Sequence, residues 1–146
     1  MFIGEVCTRE VATCAGNATA AQMAEMMRKD HLGDLIVVEY RSGDPVPVGI
    51  VTDRDLVTRV LAMELDASQV TATEIMSRPL VTAYEGEEVL VAFERLRDCH
   101  VRRIPLLDSA GVLVGIVSMN DIAALLNLSL PKKAAATAKE PAKSIA

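Results

Sequence analysis

The stretch GIVTDRDL, Gly49–Leu56, returns 66 positions later as GIVSMNDI, Gly115–Ile122. A glycine, two β-branched residues, a hydroxyl and, three residues beyond it, an aspartate recur in the same order. Each copy reads as a strand running into a helix, with Thr52 or Ser118 at the helix start. The correspondence spreads outward from there. At an offset of 69, EVCTRE (Glu5–Glu10) lies on EIMSRP (Glu74–Pro79), Thr13 on Thr82, Arg28 on Arg97 and His31 on His100. The offset falls to 66 later on, because the turn YRSGDPVP in the first copy is longer than SAGVL in the second. Exposed turns absorb such insertions without disturbing the packed elements.

A duplication of this kind decides the architecture. Each copy reads β-α-β-β-α. A short strand around Val11–Cys14, or Leu80–Ala83, leads into a helix expected over Ala18–His31, or Glu87–Cys99. Val89, Ala92, Phe93 and Leu96 share one face of the later helix at i, i+3, i+4, i+7, and Ala20, Met23, Ala24 and Met27 do so in the earlier one. Gly33 is placed to end the first helix in the left-handed conformation. Two β-branched strands follow across a turn, and a second helix closes each copy, over Asp53–Met63 and Met119–Leu126. About sixty residues with a sheet open on one face need a partner to cover it. The fold class expected is therefore α+β: two β-α-β-β-α repeats, residues 1–64 and 65–128, packed about a pseudo-twofold axis as one domain with a cleft between them.

Composition narrows the function. No apolar run approaches the ~18 residues of a membrane span, and MFIGEVCTRE lacks the order of a secretory signal, so a cytoplasmic location and no membrane partner are expected. Cys7, Cys14 and Cys99 form no CxxC pair and suit reduced thiols. The last fifteen residues carry four lysines and one glutamate, leaving the rest at −8. An acidic body with two Phe, two Tyr and no Trp has neither basic stripe nor stacking platform, which weighs against nucleic acid. Residues 129–146, rich in Ala and Lys and punctuated by Pro131 and Pro141, are expected to form a disordered tail.

The repeated motif has two readings. Thr52-x-x-Asp55 and Ser118-x-x-Asp121 fit the capping box, in which hydroxyl and acid satisfy the first helical N–H groups, worth about 1 kcal/mol and requiring no ligand. Against this, the box favours Glu or Gln, whereas both copies hold Asp, which can accept from the vicinal hydroxyls of a ribose. The preceding glycine permits close backbone approach, and a helix start with free N–H groups suits phosphate. Ribose and phosphate together describe a nucleotide.

Two β-α-β-β-α copies, each opening on Thr/Ser-Arg and closing on Gly-h-h-[Thr/Ser]-x-x-Asp, resemble the paired CBS (cystathionine β-synthase) domain family, whose pair is called a Bateman module. The resemblance covers roughly residues 5 to 127, and EIMSRPLVT, HVRRIPLLDSAGVLVGIVSMNDI and GIVTDRDL carry it most specifically. It implies a regulatory fold that binds an adenosyl ligand: AMP, ADP or ATP, with NAD or S-adenosylmethionine as alternatives. It also implies that Asp55 and Asp121 hold ribose, that Thr52 and Ser118 help hold phosphate, and that residues near Thr13 and Thr82 line an adenine pocket. Arg102 and Arg103, just ahead of Ile104 and Pro105, would meet phosphate. There the first copy has Gly33-Asp34-Leu35-Ile36, and Asp34 would repel a phosphate that two arginines would neutralise. Arg54 could compensate in the first copy, where the second has Asn120. The two sites should therefore differ.

His31 and His100 fit polar residues near a helix C-terminus, with phosphate contact as the second reading and metal ligation a distant third. Cys99 beside His100 lacks a third, orienting residue for nucleophilic chemistry. There is no GxGxxG, Walker loop, HExxH or GxSxG, so no catalytic residues, metal ligands or obligatory cofactor are assigned and no enzyme activity is expected. The expectation is a regulatory, homodimeric nucleotide-binding protein that signals to a separate, unidentified effector protein. The competing reading is a ligand-free assembly module.

Overall fold

The run Leu35–Val38 does not alternate with polar residues, because it is covered on both faces. In the computed structural model of the chain, which describes residues 1–126, Leu35 and Val37 face a helical layer while Ile36 and Val38 face the other half of the molecule. A strand with no solvent side has no reason to carry polar residues there. This strand, β2 (Asp34–Arg41), is the centre of a sheet ordered β1-β2-β3, with β1 (Thr13–Ala15) parallel and β3 (Asp44–Thr52) antiparallel to it. The second sheet, β4 (Ala83–Tyr84), β5 (Arg103–Leu107) and β6 (Leu113–Ser118), repeats that order. Both sheets shift register at equivalent places, Val37/Val38 and Leu106/Leu107. One difference has a clear cause. Ile36 donates its N–H to the Ala12 carbonyl at 3.0 Å, but its equivalent Pro105 has no N–H to give, and β4 is a residue shorter than β1.

The helices are α1 (Ala20–Asp30), α2 (Asp53–Leu56, continued by the π-helical turn Val57–Leu61), α3 (Ala72–Ile75), α4 (Val89–Asp98) and α5 (Met119–Leu125). The β-α-β-β-α order occurs twice, as the sequence implies. Three details of the sequence reading change. Helix α1 begins at Ala20, because Thr19 and Gln22 close a capping box that the sequence reading overlooked. It ends in the left-handed conformation at His31 (φ 54°), not at Gly33, and His100 adopts the same φ after α4. Ala24 is exposed, while Ala20, Met23 and Met27 are buried as expected. The expectation for residues 129–146 lies outside the described residues.

Each repeat closes the core of the other. Ile3, at the N-terminus, is fully buried in the second core among Val89, Leu96, Ile104 and Val117. Val70, Ala72, Ile75 and Met76, in the leading segment of the second repeat, pack into the first core against Met23, Leu35 and Val51. Burying one such side chain stabilises by about 1.5–3 kcal/mol. The exchange is symmetric in its hydrogen bonds. Ile3 N and Gly4 N donate to the Glu87 and Glu85 carbonyls at 2.8 and 2.9 Å, and Ala72 N and Thr73 N donate to the Ala18 and Gly16 carbonyls at 2.8 and 3.0 Å. A third cluster, Ile36, Val38 and Ile116 with Val11, Ile50 and Leu113 against it, joins the two sheets.

Candidate functional site

The motif glycines, Gly49 and Gly115, mark where one repeat's leading segment crosses the other's sheet. A Cβ at Gly115 would stand 2.6 Å from Cys7 Sγ and 3.1 Å from the Thr8 carbonyl oxygen; one at Gly49 would stand 2.5 Å from Met76 Sδ. The close approach expected at these glycines is thus made by protein. Beside them Thr8 and Ile116 exchange two backbone hydrogen bonds of 2.9 Å, and Ser77 and Ile50 exchange two of 2.9 and 3.4 Å.

Both capping boxes are formed. Asp55 N donates to Thr52 Oγ1 at 3.1 Å and Thr52 N to Asp55 Oδ2 at 2.9 Å; Asp121 N donates to Ser118 Oγ and Ser118 N to Asp121 Oδ2, each at 3.1 Å. Aspartate closes the box in spite of its shorter arm, which removes the anomaly the sequence suggested. The next amides are engaged too: Met119 N donates to the Arg102 carbonyl at 2.8 Å and Asp53 N to the Gly33 carbonyl at 3.0 Å. At the first helix start Arg54 N donates to Asp53 Oδ1 at 2.8 Å as well, whereas at the second the Asn120 amide has no partner among the described residues.

The two motifs differ in what remains. Asp55 Oδ1 lies 3.6 Å from Arg59 Nε, and Arg59 Nη1 also donates to the Ile75 carbonyl at 2.9 Å. The equivalent position in the second repeat is Leu125. Asp121 Oδ1 has no hydrogen-bond or ion-pair partner among the described residues.

Ser118 and Asp121 border a cavity of about 240 Å3 between the repeats. From the first repeat, Thr8, Glu10, Val11 and Ala12 line one side, with Leu32 and Asp34 next to them; Arg103 and Ile116 complete the wall from the second. Asp34, expected to repel phosphate, forms an ion pair with Arg103 at 3.4 Å across the repeats. Burial pushes the Asp34 carboxyl above its ordinary range; the Arg103 guanidinium pulls it down and nearby Asp53 adds to the rise.

Of the residues selected from the sequence, the cavity gathers Arg103, Ser118 and Asp121. Thr52, Asp55 and exposed Arg54 sit at the equivalent place in the first repeat. Thr13 pairs with Ile36 in β1, and the Thr82 carbonyl accepts from Arg95 Nη1 at 2.9 Å; neither lines this cavity. Arg102 and Asn120 are exposed beside it, while the Ile104 and Pro105 side chains are buried within the protein. The sequence reading missed Glu10, Val11, Ala12 and Leu32. Their signal was the position of the first two residues after Thr8-Arg9, but a leader crossing to the opposite repeat has no local signature. The thiol of buried Cys14 is pushed up to about 11 by burial, so it stays protonated at neutral pH.

Two mutually exchanged β-α-β-β-α units with an inter-repeat cleft at the second hydroxyl-x-x-Asp motif define the arrangement. The CBS domain matches it twice, over residues 3–62 and 72–128. The chain belongs to the CBS domain family. An uncharacterised protein of Methanopyrus kandleri is 38% identical over 120 residues, 82% of this chain and 60% of that protein. The chain therefore spans less than two thirds of that relative. The CBS domain-containing protein YhcV of Bacillus subtilis is 32% identical over 83% of this chain and 82% of its own length. Among solved structures, the CBS domain pair of protein MJ0100, in complex with 5′-methylthioadenosine and S-adenosyl-L-methionine, is 26% identical with a TM-score of 0.72, covering 87% of this chain and 96% of that one. No helix among the described residues is long and apolar enough to cross a membrane.

Proposed function

We propose that this CBS pair is a regulatory protein that binds one adenosyl compound in its inter-repeat cleft and signals to a separate effector protein. The observation that carries the reading is the contrast between two equivalent carboxylates. Asp121 borders the cleft with Oδ1 unengaged among the described residues, whereas Asp55 Oδ1 lies against Arg59. An ionised carboxylate accepts only, and one with a free oxygen can take the vicinal hydroxyls of a ribose. Val11, Ala12, Leu32 and Ile116 offer an apolar wall suited to a purine ring. The adenosyl ligands of the similar MJ0100 pair support this class. AMP, ADP, ATP, NAD and S-adenosylmethionine all belong to it. The cavity is smaller than the ~300–1,000 Å3 usual for small-molecule sites, so binding would draw the repeats apart or reorient them. A ligand shifts such an equilibrium only by its differential affinity for the two arrangements.

The assembly reading keeps one specific support, since both capping boxes close without ligand. A homodimer is compatible with either reading. Its supports are Leu90 and Val91, exposed on α4, and an open apolar hollow beside α1 lined by Cys14, Ala15, Ala18, Ala21 and Met26. The three free cysteines suit the reducing cytoplasm. Mass spectrometry of small molecules released from purified protein tests the function. An adenosyl compound in the released fraction supports the sensor; its absence, together with no thermal shift from added adenosyl compounds, favours the assembly module.

A further inference from the structure

The chemistry of the Asp121 cleft separates adenosyl ligands by charge. Three carboxylates, Glu10, Asp34 and Asp121, line it against one guanidinium, that of Arg103. Arg103 is already committed to Asp34 at 3.4 Å, and the pair bridges the two repeats. Asp53, whose Oδ2 lies within 3.8 Å of where a Gly33 Cβ would stand, adds a further negative charge beside Asp34. Against these charges the helix start offers a single uncommitted amide among the described residues, that of Asn120. Ser118 N, Met119 N and Asp121 N all donate within the protein, and the Ser118 hydroxyl already accepts from Asp121 N. A phosphate entering here would meet fixed like charges and would have to take Arg103 from Asp34. Like charges set opposite one another at a binding surface cost enough to exclude a ligand. A sulfonium, or an uncharged thioether, meets no such opposition.

We infer that this cleft selects adenosyl compounds whose 5′ substituent is uncharged or cationic, adenosine thioethers and sulfoniums, over adenosine phosphates. The inference rests on the adenosyl reading above and narrows it. It also reverses the order of ligands that the sequence suggested, in which AMP, ADP and ATP came first. Asp34 is the specificity-determining residue, because it opposes phosphate directly and also occupies the arginine that would bind it. Glu10 is the second.

The test is calorimetric titration of the full chain with 5′-methylthioadenosine, S-adenosylmethionine, AMP and ATP, without divalent cations and at constant ionic strength. The expected result is binding of 5′-methylthioadenosine and S-adenosylmethionine at least about tenfold tighter than ATP. Asp34→Asn should strengthen ATP binding relative to 5′-methylthioadenosine by about threefold or more. Glu10→Gln, at an exposed position, should act in the same direction and does not risk the inter-repeat ion pair. ATP or AMP binding as tightly as 5′-methylthioadenosine overturns the inference and leaves the adenosyl reading standing. A gap that both variants leave untouched overturns it too. Binding of none of these compounds overturns the adenosyl reading and this inference with it.

Discussion

At Gly115 the missing side chain makes room for Cys7 and the Thr8 carbonyl of the other repeat's leader, and Gly49 does the same for Met76. Gly115→Ala should destabilise the chain by about 1–3 kcal/mol, read as a lower urea midpoint, because the Thr8 backbone cannot swing aside. Gly49→Ala should be destabilising too, since it meets Met76 at Sδ, Cγ and Cβ, 2.5, 2.8 and 3.0 Å away, and the Cβ cannot rotate aside. The glycines were visible in the sequence and so was the need for close approach; what approached was not, because the neighbour is distant in the chain. The histidines tell a similar story. Their matching positions at the ends of α1 and α4 were legible, but the left-handed φ of 54° at each was not; in the first copy it was expected of Gly33. Histidine is among the few residues that adopt this conformation with any frequency.

At the scale of elements, both motifs end a strand and cap a helix, and this much the pattern T-x-x-D and S-x-x-D disclosed. The structural difference between them lies in a residue outside the motif. Arg59, on the π-helical turn after α2, holds Asp55 Oδ1 and the Ile75 carbonyl together, while Leu125 stands in its place on α5. The wild-type chain should therefore bind one adenosyl ligand. Arg59→Leu should free Asp55 and raise the calorimetric stoichiometry from one towards two per chain. The sequence reading sought the asymmetry of the clefts in Arg102-Arg103 against Gly33-Asp34, and Arg103 does meet Asp34. It assigned them to separate sites, one drawing phosphate and one repelling it, whereas the fold brings Arg103 and Asp34 together between the repeats. Register and strand length were partly legible: Pro105 in an otherwise apolar strand accounts for the shortness of β4.

For the whole molecule, exchange of leading segments makes the repeats interdependent, and the Asp34–Arg103 pair sits on their boundary. The duplication announced two halves and a cleft; it could not announce that Ile3 completes the second core and Ile75 the first. The boundary pair has a consequence for pH. Asp34 has a higher pKa in the folded chain than in the unfolded one, so between those values the folded chain binds more protons. Stability should fall as pH rises from about 4, the ordinary aspartate value, through the raised folded value, and the cost should persist above it. Denaturant titrations of Asp34→Asn should lack that decline. The central claim is that Asp121, and not Asp55, holds the ligand. Its most direct test is titration of 5′-methylthioadenosine into wild type, Asp121→Asn and Asp55→Asn, substitutions that keep an acceptor for each capping box. Loss of a charged hydrogen-bond acceptor should weaken binding by Asp121→Asn about tenfold or more, with Asp55→Asn close to wild type. Equal affinities for all three proteins, or a greater loss in Asp55→Asn, would contradict the account.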